Sequence, residues 1–191
     1  MTISVRSTLG DFTGVLALAS LNGFGLPVRM RILSARLFLL LALFISVPVA
    51  HAAEKYKKSD VLAPFTTKDQ HDISYTLEPG IKLVVVSFEM GSGKAANAFF
   101  EKQPADFLTQ NQAVFIANIY GMPGIGRMFA LPKMKKYPHR ILLADAEDFL
   151  ARYPEKEDML TVLRLDDKGV VQSVDFVDPK KGLPAVFKGA K

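Results

Sequence analysis

The sequence contains no cysteine in its 191 residues. Without a thiol, the protein cannot form a disulfide, a thiolate metal site or a cysteine nucleophile. Histidine is also scarce, and His51, His71 and His139 show neither HExxH nor HxxxH spacing. The absence of cysteine does not indicate the cytoplasm, because exported bacterial proteins often lack this residue as well.

The sequence also has little excess charge beyond residue 52. The whole chain contains 24 basic and 19 acidic residues, a net charge of +5. Four of the basic residues and one acidic residue lie within residues 1–52, so the remainder has a net charge of only +2. We therefore expect no nucleic-acid partner. With 49% hydrophobic and 23% charged residues, the chain can build a packed core.

An apolar run over residues 37–47 follows two basic residues, Arg31 and Arg36. The run is too short for a comfortable membrane-spanning helix, which needs about 20 apolar residues, and this disfavours a single anchoring helix. Ala50-His51-Ala52 then matches the A-x-A pattern that signal peptidase cleaves. This order predicts a signal peptide at residues 30–52, cleavage after Ala52, and a periplasmic or secreted protein.

Residues 1–29 precede this signal peptide. Either Met30 is the true start and residues 1–29 are an extension of the gene assignment, or they are a long leader that is also removed. In both cases, we expect residues 53–191 to form a single domain.

Strand-like and helix-like segments alternate through residues 53–191. This alternation predicts an α/β sandwich around a central mixed sheet of five to seven strands, with residues 84–88 and 114–119 in its centre. We predict strands at residues 65–67, 73–77, 82–88, 113–120, 139–144, 159–165 and 170–177. We predict helices after Ser92 and at residues 104–110, 125–136 and 147–153.

Four stretches resemble the thioredoxin-like fold superfamily, in its peroxiredoxin-like and secreted thioredoxin-like branch. They are PFTTKDQHDISYTLEPGIKLVVVSF, GSGKAANAFF, YPHRILLADAEDFLARYP and DMLTVLRLDDKGVVQSVDF. The resemblance covers nearly all of residues 53–191. It implies a thioredoxin-like three-layer sandwich with a central mixed β-sheet and an N-terminal β-hairpin.

The sequence departs from this family at both of its catalytic elements. Working members carry a Cys or Cys-x-x-Cys at the junction of a core strand and helix, where this chain has a loop that includes Gly91, Ser92, Gly93 and Lys94. The family's cis-proline corresponds to Leu160. A serine hydroxyl can neither form a disulfide nor ionise near neutral pH, so thiol-disulfide and thiol-peroxidase activity are excluded.

The resemblance therefore implies the fold without the activity. The first hypothesis is a non-redox binding or assembly module of the cell envelope. The alternative is an exported enzyme with a cysteine-free site at the junction. The sequence also resembles small secreted bacterial proteins, some labelled flavin-dependent dehydrogenases, but no Gly-x-Gly-x-x-Gly follows a strand, and we expect no cofactor.

Residues 91–94 also resemble the end of a phosphate-binding loop. The full motif requires glycine where Phe88 stands and Ser or Thr where Ala95 stands. We therefore favour a tight turn in which Ser92 is the helix N-cap. A small anion held by helix amides beside Lys94 is the remaining functional interpretation.

A basic stretch lies between residues 127 and 140, with aromatic residues and methionines interleaved. It predicts either a surface for an envelope protein or an anionic surface, or an amphipathic helix whose apolar side packs on the sheet. The second interpretation is favoured. The basic residues are Arg127, Lys133, Lys135, Lys136 and Arg140.

Two groups of carboxylates are further candidates for catalysis or metal binding. Asp166 and Asp167 lie in a predicted hairpin turn, where Asp is favoured for turn geometry. His71 lies between Asp69 and Asp72, which could contact a metal, but a solvated turn is the favoured interpretation.

Overall fold

The structure is a computed structural model that describes residues 53–188. The predicted signal peptide and leader lie outside the described residues. Within residues 53–188, no helix combines the length and apolar character needed to cross a membrane.

Seven strands form one mixed sheet in the order β2-β1-β5-β4-β3-β6-β7. This confirms the predicted mixed sheet with β3 and β4 near its centre, and the N-terminal hairpin of β1 and β2. The strands are β1 (Thr66–Asp69), β2 (Ser74–Thr76), β3 (Leu83–Ser87), β4 (Ala113–Asn118), β5 (Leu142–Ala144), β6 (Leu160–Leu165) and β7 (Val171–Val177).

The continuous apolar runs of β3 and β4 are explained by burial on both faces of the sheet. The two strands pair in parallel, with Val85 opposite Phe115. Side chains point alternately to the two faces, so Val85 packs in one hydrophobic cluster while Val84 and Val86 pack in the other. On the outer side of β3, the antiparallel hairpin of β6 and β7 completes the sheet as predicted.

The helices supply the layer on one face of the sheet. Ala96 and Phe100, together with Phe187, pack there around Phe115. The opposite layer is not helical: Tyr56 and Tyr153, from irregular segments, pack edge to face over the other cluster. The helices are α1 (Met90–Phe100), α2 (Phe107–Gln110), α3 (Gly124–Met134) and α4 (Leu183–Lys188).

Three sequence predictions for elements need correction. Residues 147–153 form successive turns instead of a helix, with i to i+3 bonds such as the Tyr153 N–H donating to the Leu150 carbonyl. The side chains of Leu150 and Tyr153 are both buried along this path. A helix this short would gain little stability from additional hydrogen bonds, so the turns are favoured. The strand predicted from residue 139 begins only at residue 142. The His139 carbonyl accepts a hydrogen bond from the Gln70 side chain instead of from a neighbouring strand. α4 was not predicted as a helix.

Candidate functional site

The junction between β3 and α1 contains the loop that the sequence resemblance predicts to be equivalent to a redox junction. The prediction that Ser92 is the N-cap is wrong, because α1 begins at Met90 and Glu89 is the N-cap residue. The Glu89 carbonyl accepts hydrogen bonds from the Gly93 N–H at 3.0 Å and the Ser92 hydroxyl at 3.1 Å. Ser92 is thus buried inside the first helical turn, and its hydroxyl bonds backward along the helix instead of capping free amides.

Gly91 and Gly93 do not form the predicted tight turn, since neither has a positive φ. Gly93 is instead required by close packing. A Cβ at this position would lie 3.1 Å from the Ser87 hydroxyl oxygen, whereas a Cβ at Gly91 would meet nothing within 4 Å. Gly93 therefore lets α1 approach the end of β3, and Gly91 has no such role.

The Glu89 side chain connects the junction to the segment before β6 by a hydrogen bond. Its Oε1 accepts a hydrogen bond from the Asp158 N–H at 3.2 Å. Two residues later, fully buried Leu160 begins β6 opposite Ser87. The structure thus brings Leu160 beside the junction loop, and no cis peptide bond occurs among the described residues. Its equivalence to the family's proline stays a prediction.

A small cavity, the junction cleft, opens between α1, α3 and the ends of β3 and β4. Its volume is about 80 Å³, well below the roughly 300 Å³ at which small-molecule pockets begin. It has room for one inserted side chain. The residues that line it include Met90, Lys94, Asn97, Met122, Lys133 and Tyr137.

A buried polar pair lies beneath the junction cleft. Nε2 of His139 donates to Oδ1 of Asn97 at 2.9 Å, and Nδ1 has no partner among the described residues. The imidazole packs against Phe100 and Phe115, and burial lowers the pKa of His139 to about 4. The imidazole is therefore neutral at physiological pH. Sequence reasoning missed this pair, because a lone histidine beside a basic stretch carries no signal of burial.

Several large apolar side chains are exposed on α3 and at the junction end of the sheet. On α3, Ile125, Met128 and Phe129 are each more than 60% exposed and share one helix face by their i, i+3 and i+4 spacing. Met90, which lines the junction cleft, and Tyr120, which follows β4, are exposed at the same end of the sheet. We call these five residues the apolar patch. Monomeric proteins seldom leave such a grouping uncovered without a use.

The interpretation of α3 as a helix whose apolar side packs on the sheet is correct only in part. Leu131 and Met134 pack against the core, but both are only partly buried, and no residue of α3 is fully buried. The apolar side chains of Ile125, Met128 and Phe129 face solvent. The helix therefore has two apolar sides, of which one is uncovered.

The basic residues predicted as a binding surface are mostly paired with carboxylates of the same chain. Arg127 forms two bonds to the Asp145 carboxylate. Lys135 lies 3.0 Å from Asp72. The remaining paired residue, Arg140, lies in another cleft. Of the predicted basic residues, Lys133 and Lys136 are exposed and form no ion pair among the described residues, and the same holds for Lys94 of the junction. Lys94 and Lys133 line the junction cleft.

The other carboxylate candidates are structural. Oδ1 of Asp166 accepts the backbone N–H groups of Lys168 and Val170, both at 2.9 Å, which confirms its role in turn geometry. His71 is exposed in the β1–β2 turn, where the buried Asp69 accepts its backbone N–H. Within residues 53–188, no group of three His, Asp or Glu side chains is placed to hold a metal.

No family model matches the sequence, and no curated protein matches it. Among solved structures, a thiol:disulfide interchange protein DsbE from Chlorobium tepidum, described as putative, is 14% identical with a TM-score of 0.51, covering 72% of this chain and 99% of that one. The thioredoxin domain of a thiol-disulfide oxidoreductase from Bacteroides vulgatus is 15% identical with a TM-score of 0.49, covering 72% and 100%. Peroxidoxin BcpB from Mycobacterium tuberculosis is 16% identical with a TM-score of 0.48, covering 70% and 96%.

At these sequence identities the similarity shows the fold, and it does not show that this protein shares the activity of those proteins. The seven-stranded mixed sheet with its N-terminal hairpin and the helix that follows β3 agree with that likeness. The chain contains no cysteine anywhere. This protein therefore has a thioredoxin-like fold, and its sequence contains no cysteine.

Proposed function

We propose that this protein is a non-redox binding module of the cell envelope that docks a protein partner at the junction end of its thioredoxin-like fold. The apolar patch is the observation that carries the proposal. Five of the eight large apolar side chains exposed among the described residues belong to this patch. Exposed apolar area is costly in water, and a partner would remove it from solvent.

The charges around the patch specify the chemistry of the partner. Lys94 and Lys133 line the junction cleft, and neither forms an ion pair among the described residues. A partner with carboxylates beside its apolar residues would complement these two charges. The junction cleft, at about 80 Å³, would accept one apolar side chain as an anchor. The partner is therefore a polypeptide segment that combines an apolar anchor with flanking Asp or Glu.

An anionic membrane surface is a weaker match to the same residues. Each basic residue near such a surface contributes about 1 kcal/mol, and Arg127 and Lys135 are already neutralised by Asp145 and Asp72. A flat lipid surface would also leave the junction cleft empty. These observations favour a protein partner.

We regard an enzyme active site at the junction as the weaker alternative. A cysteine-free active site would need a pocket with convergent polar groups near Ser92, Lys94 and Leu160. The junction cleft, at about 80 Å³, lies below the range typical of small-molecule pockets, and both Ser92 and Leu160 are buried. Binding without turnover is the function that this geometry supports.

The test is a set of defined peptides and vesicles. Peptides with one apolar anchor flanked by glutamates are compared with the same peptides carrying lysines, and with vesicles rich in phosphatidylglycerol. We expect the acidic peptides alone to bind, and to bind more weakly at high salt. Phe129→Glu should abolish this binding, whereas Ile73→Glu should not, because Ile73 is equally exposed but lies in the β1–β2 turn.

Two outcomes would overturn the docking proposal. Binding of vesicles but not acidic peptides would assign the patch to a membrane. Equal loss of binding in Phe129→Glu and Ile73→Glu would show that the patch is not the docking surface.

The envelope location rests on the sequence of residues 30–52, outside the described residues. Amino-terminal sequencing of the protein isolated from its native cells should show Ala53 as the first residue. Recovery of a cytoplasmic product that begins at Met1 would contradict export.

A further inference from the structure

A second cleft lies at the opposite end of the sheet from the junction, where β4 and β5 begin. Its volume is about 330 Å³, within the range of small-ligand pockets. We call it the distal cleft. The turn before β3, α2 and the first residues of β4 form its walls, and the apolar side chains of Ile81, Leu108 and Val114 contribute to them.

Two opposite charges, Arg140 and Glu78, line the distal cleft with Tyr75. Burial raises the pKa of Tyr75 and the negative charge of Glu78 raises it further, whereas hydrogen bonding with the Glu78 backbone and the charge of Arg140 lower it. Yet Arg140 and Glu78 form no ion pair with each other. The distal cleft thus presents a cation and an anion that do not neutralise each other by contact.

The Arg140 guanidinium is oriented but not saturated. Its Nε lies 3.7 Å from Oδ2 of Asp69, and its central carbon lies 5.4 Å from the centre of the Tyr75 ring. These contacts hold the group without using its donors, since no acceptor among the described residues lies within hydrogen-bond distance. The Glu78 carboxylate likewise has neither a hydrogen bond nor an ion pair among the described residues.

We propose that the distal cleft binds a small zwitterion with an apolar side chain, of the α-amino-acid class, with its carboxylate on Arg140 and its ammonium group on Glu78. An anion alone would meet the repulsion of Glu78, and a cation alone would leave the donors of Arg140 unused. Each water occupies about 30 Å³ of liquid volume, so a cleft of about 330 Å³ has room for a ligand of on the order of ten non-hydrogen atoms. The apolar wall receives the side chain.

This proposal goes beyond the docking function and is independent of it. The distal cleft shares no lining residue with the junction cleft, and it does not use the apolar patch. Failure of one proposal therefore leaves the other unchanged.

The experiment follows the backbone amide resonances of the purified protein during titration with L-leucine. Sodium acetate and butylamine, each carrying one of the two charges, are titrated in parallel. We expect saturable shifts with leucine at the amides of Gly80, Ile81, Thr109 and Gln112, and at least tenfold weaker binding of either single-charge probe.

Glu78→Gln is the most informative variant, because the exposed carboxylate it removes has no partner among the described residues. It should weaken leucine binding at least about tenfold, and Arg140→Gln should do the same. Glu147→Gln removes an exposed carboxylate outside the distal cleft and should leave the affinity unchanged. The proposal is wrong if leucine does not shift these amides, if acetate binds as tightly as leucine, or if Glu78→Gln binds leucine like the wild type.

Discussion

Nε2 of His139 donates a hydrogen bond of 2.9 Å to Oδ1 of Asn97, 42 positions earlier in the chain. Both side chains are almost completely removed from solvent. The bond joins α1 to the segment before β5, beneath the junction cleft. Burial lowers the pKa of His139 to about 4, so the imidazole is neutral at physiological pH.

The first prediction is a loss of stability in mild acid. An unfolded histidine titrates near pH 6.5 and folded His139 near 4, so between these values the unfolded chain binds the additional proton. Stability is therefore full above about pH 6.5 and decreases as the pH falls towards 4, by about 3 kcal/mol in all. Urea unfolding at a series of pH values measures this slope. His139→Gln, which retains a donor for Asn97, should flatten it.

The matched control is His71→Gln, because His71 is exposed. This variant should keep the wild-type slope between pH 6.5 and 4. An unchanged slope in His139→Gln would show that His139 is not the group responsible.

The second prediction separates the two glycines of α1. Gly91→Ala adds a side chain in open space and should stabilise the protein by about 0.5–1 kcal/mol, because alanine favours the helix. Gly93→Ala places its Cβ 3.1 Å from the Ser87 hydroxyl oxygen, and this crowding offsets the same gain. We expect Gly93→Ala to be about 1 kcal/mol less stable than Gly91→Ala in urea unfolding.

A double-mutant cycle with Ser87→Ala identifies the cause. Removal of the Ser87 hydroxyl should recover part of the cost of Gly93→Ala, and should not change the effect of Gly91→Ala. If the effects of Ser87→Ala and Gly93→Ala are additive, the close approach of α1 to β3 is not what requires glycine.

The third prediction concerns the turn between β6 and β7. Hydrogen bonds from the Val170 and Lys168 N–H groups lower the pKa of Asp166. Its contribution to stability is present above the pKa of an ordinary aspartate and is lost as the pH falls through its lowered value. At neutral pH, Asp166→Ala should lower the melting temperature by a few degrees, whereas Asp166→Asn, which retains an acceptor oxygen, should lower it less. Calorimetry of both variants measures the difference.

The fourth prediction is the absence of thiol chemistry. The purified protein should neither reduce insulin disulfides nor consume hydrogen peroxide, because no thiolate exists to attack either one. Turnover that is lost in Lys94→Ala, with folding intact by circular dichroism, would mean that the junction is an active site of a different kind.

The sequence by itself determined the absence of thiol chemistry, and it predicted the core strands and the fold class. Cysteine is a matter of composition, and strands buried on both faces produce continuous apolar runs such as that of Val84, Val85 and Val86. These signals are local, so they can be read without knowing how the elements pack.

Only the tertiary structure decided what the individual site residues do. Serine is a residue type that often caps helices, which favoured Ser92 as the N-cap. The helix instead begins at Met90, because its first residue depends on where β3 leaves the sheet. Glycine is typical of turns, but Gly93 lies in a helix and leaves room for the Ser87 side chain. The exposure of Phe129, the burial of His139 and the unpaired state of Glu78 all depend on neighbours distant in sequence, which local periodicity does not specify.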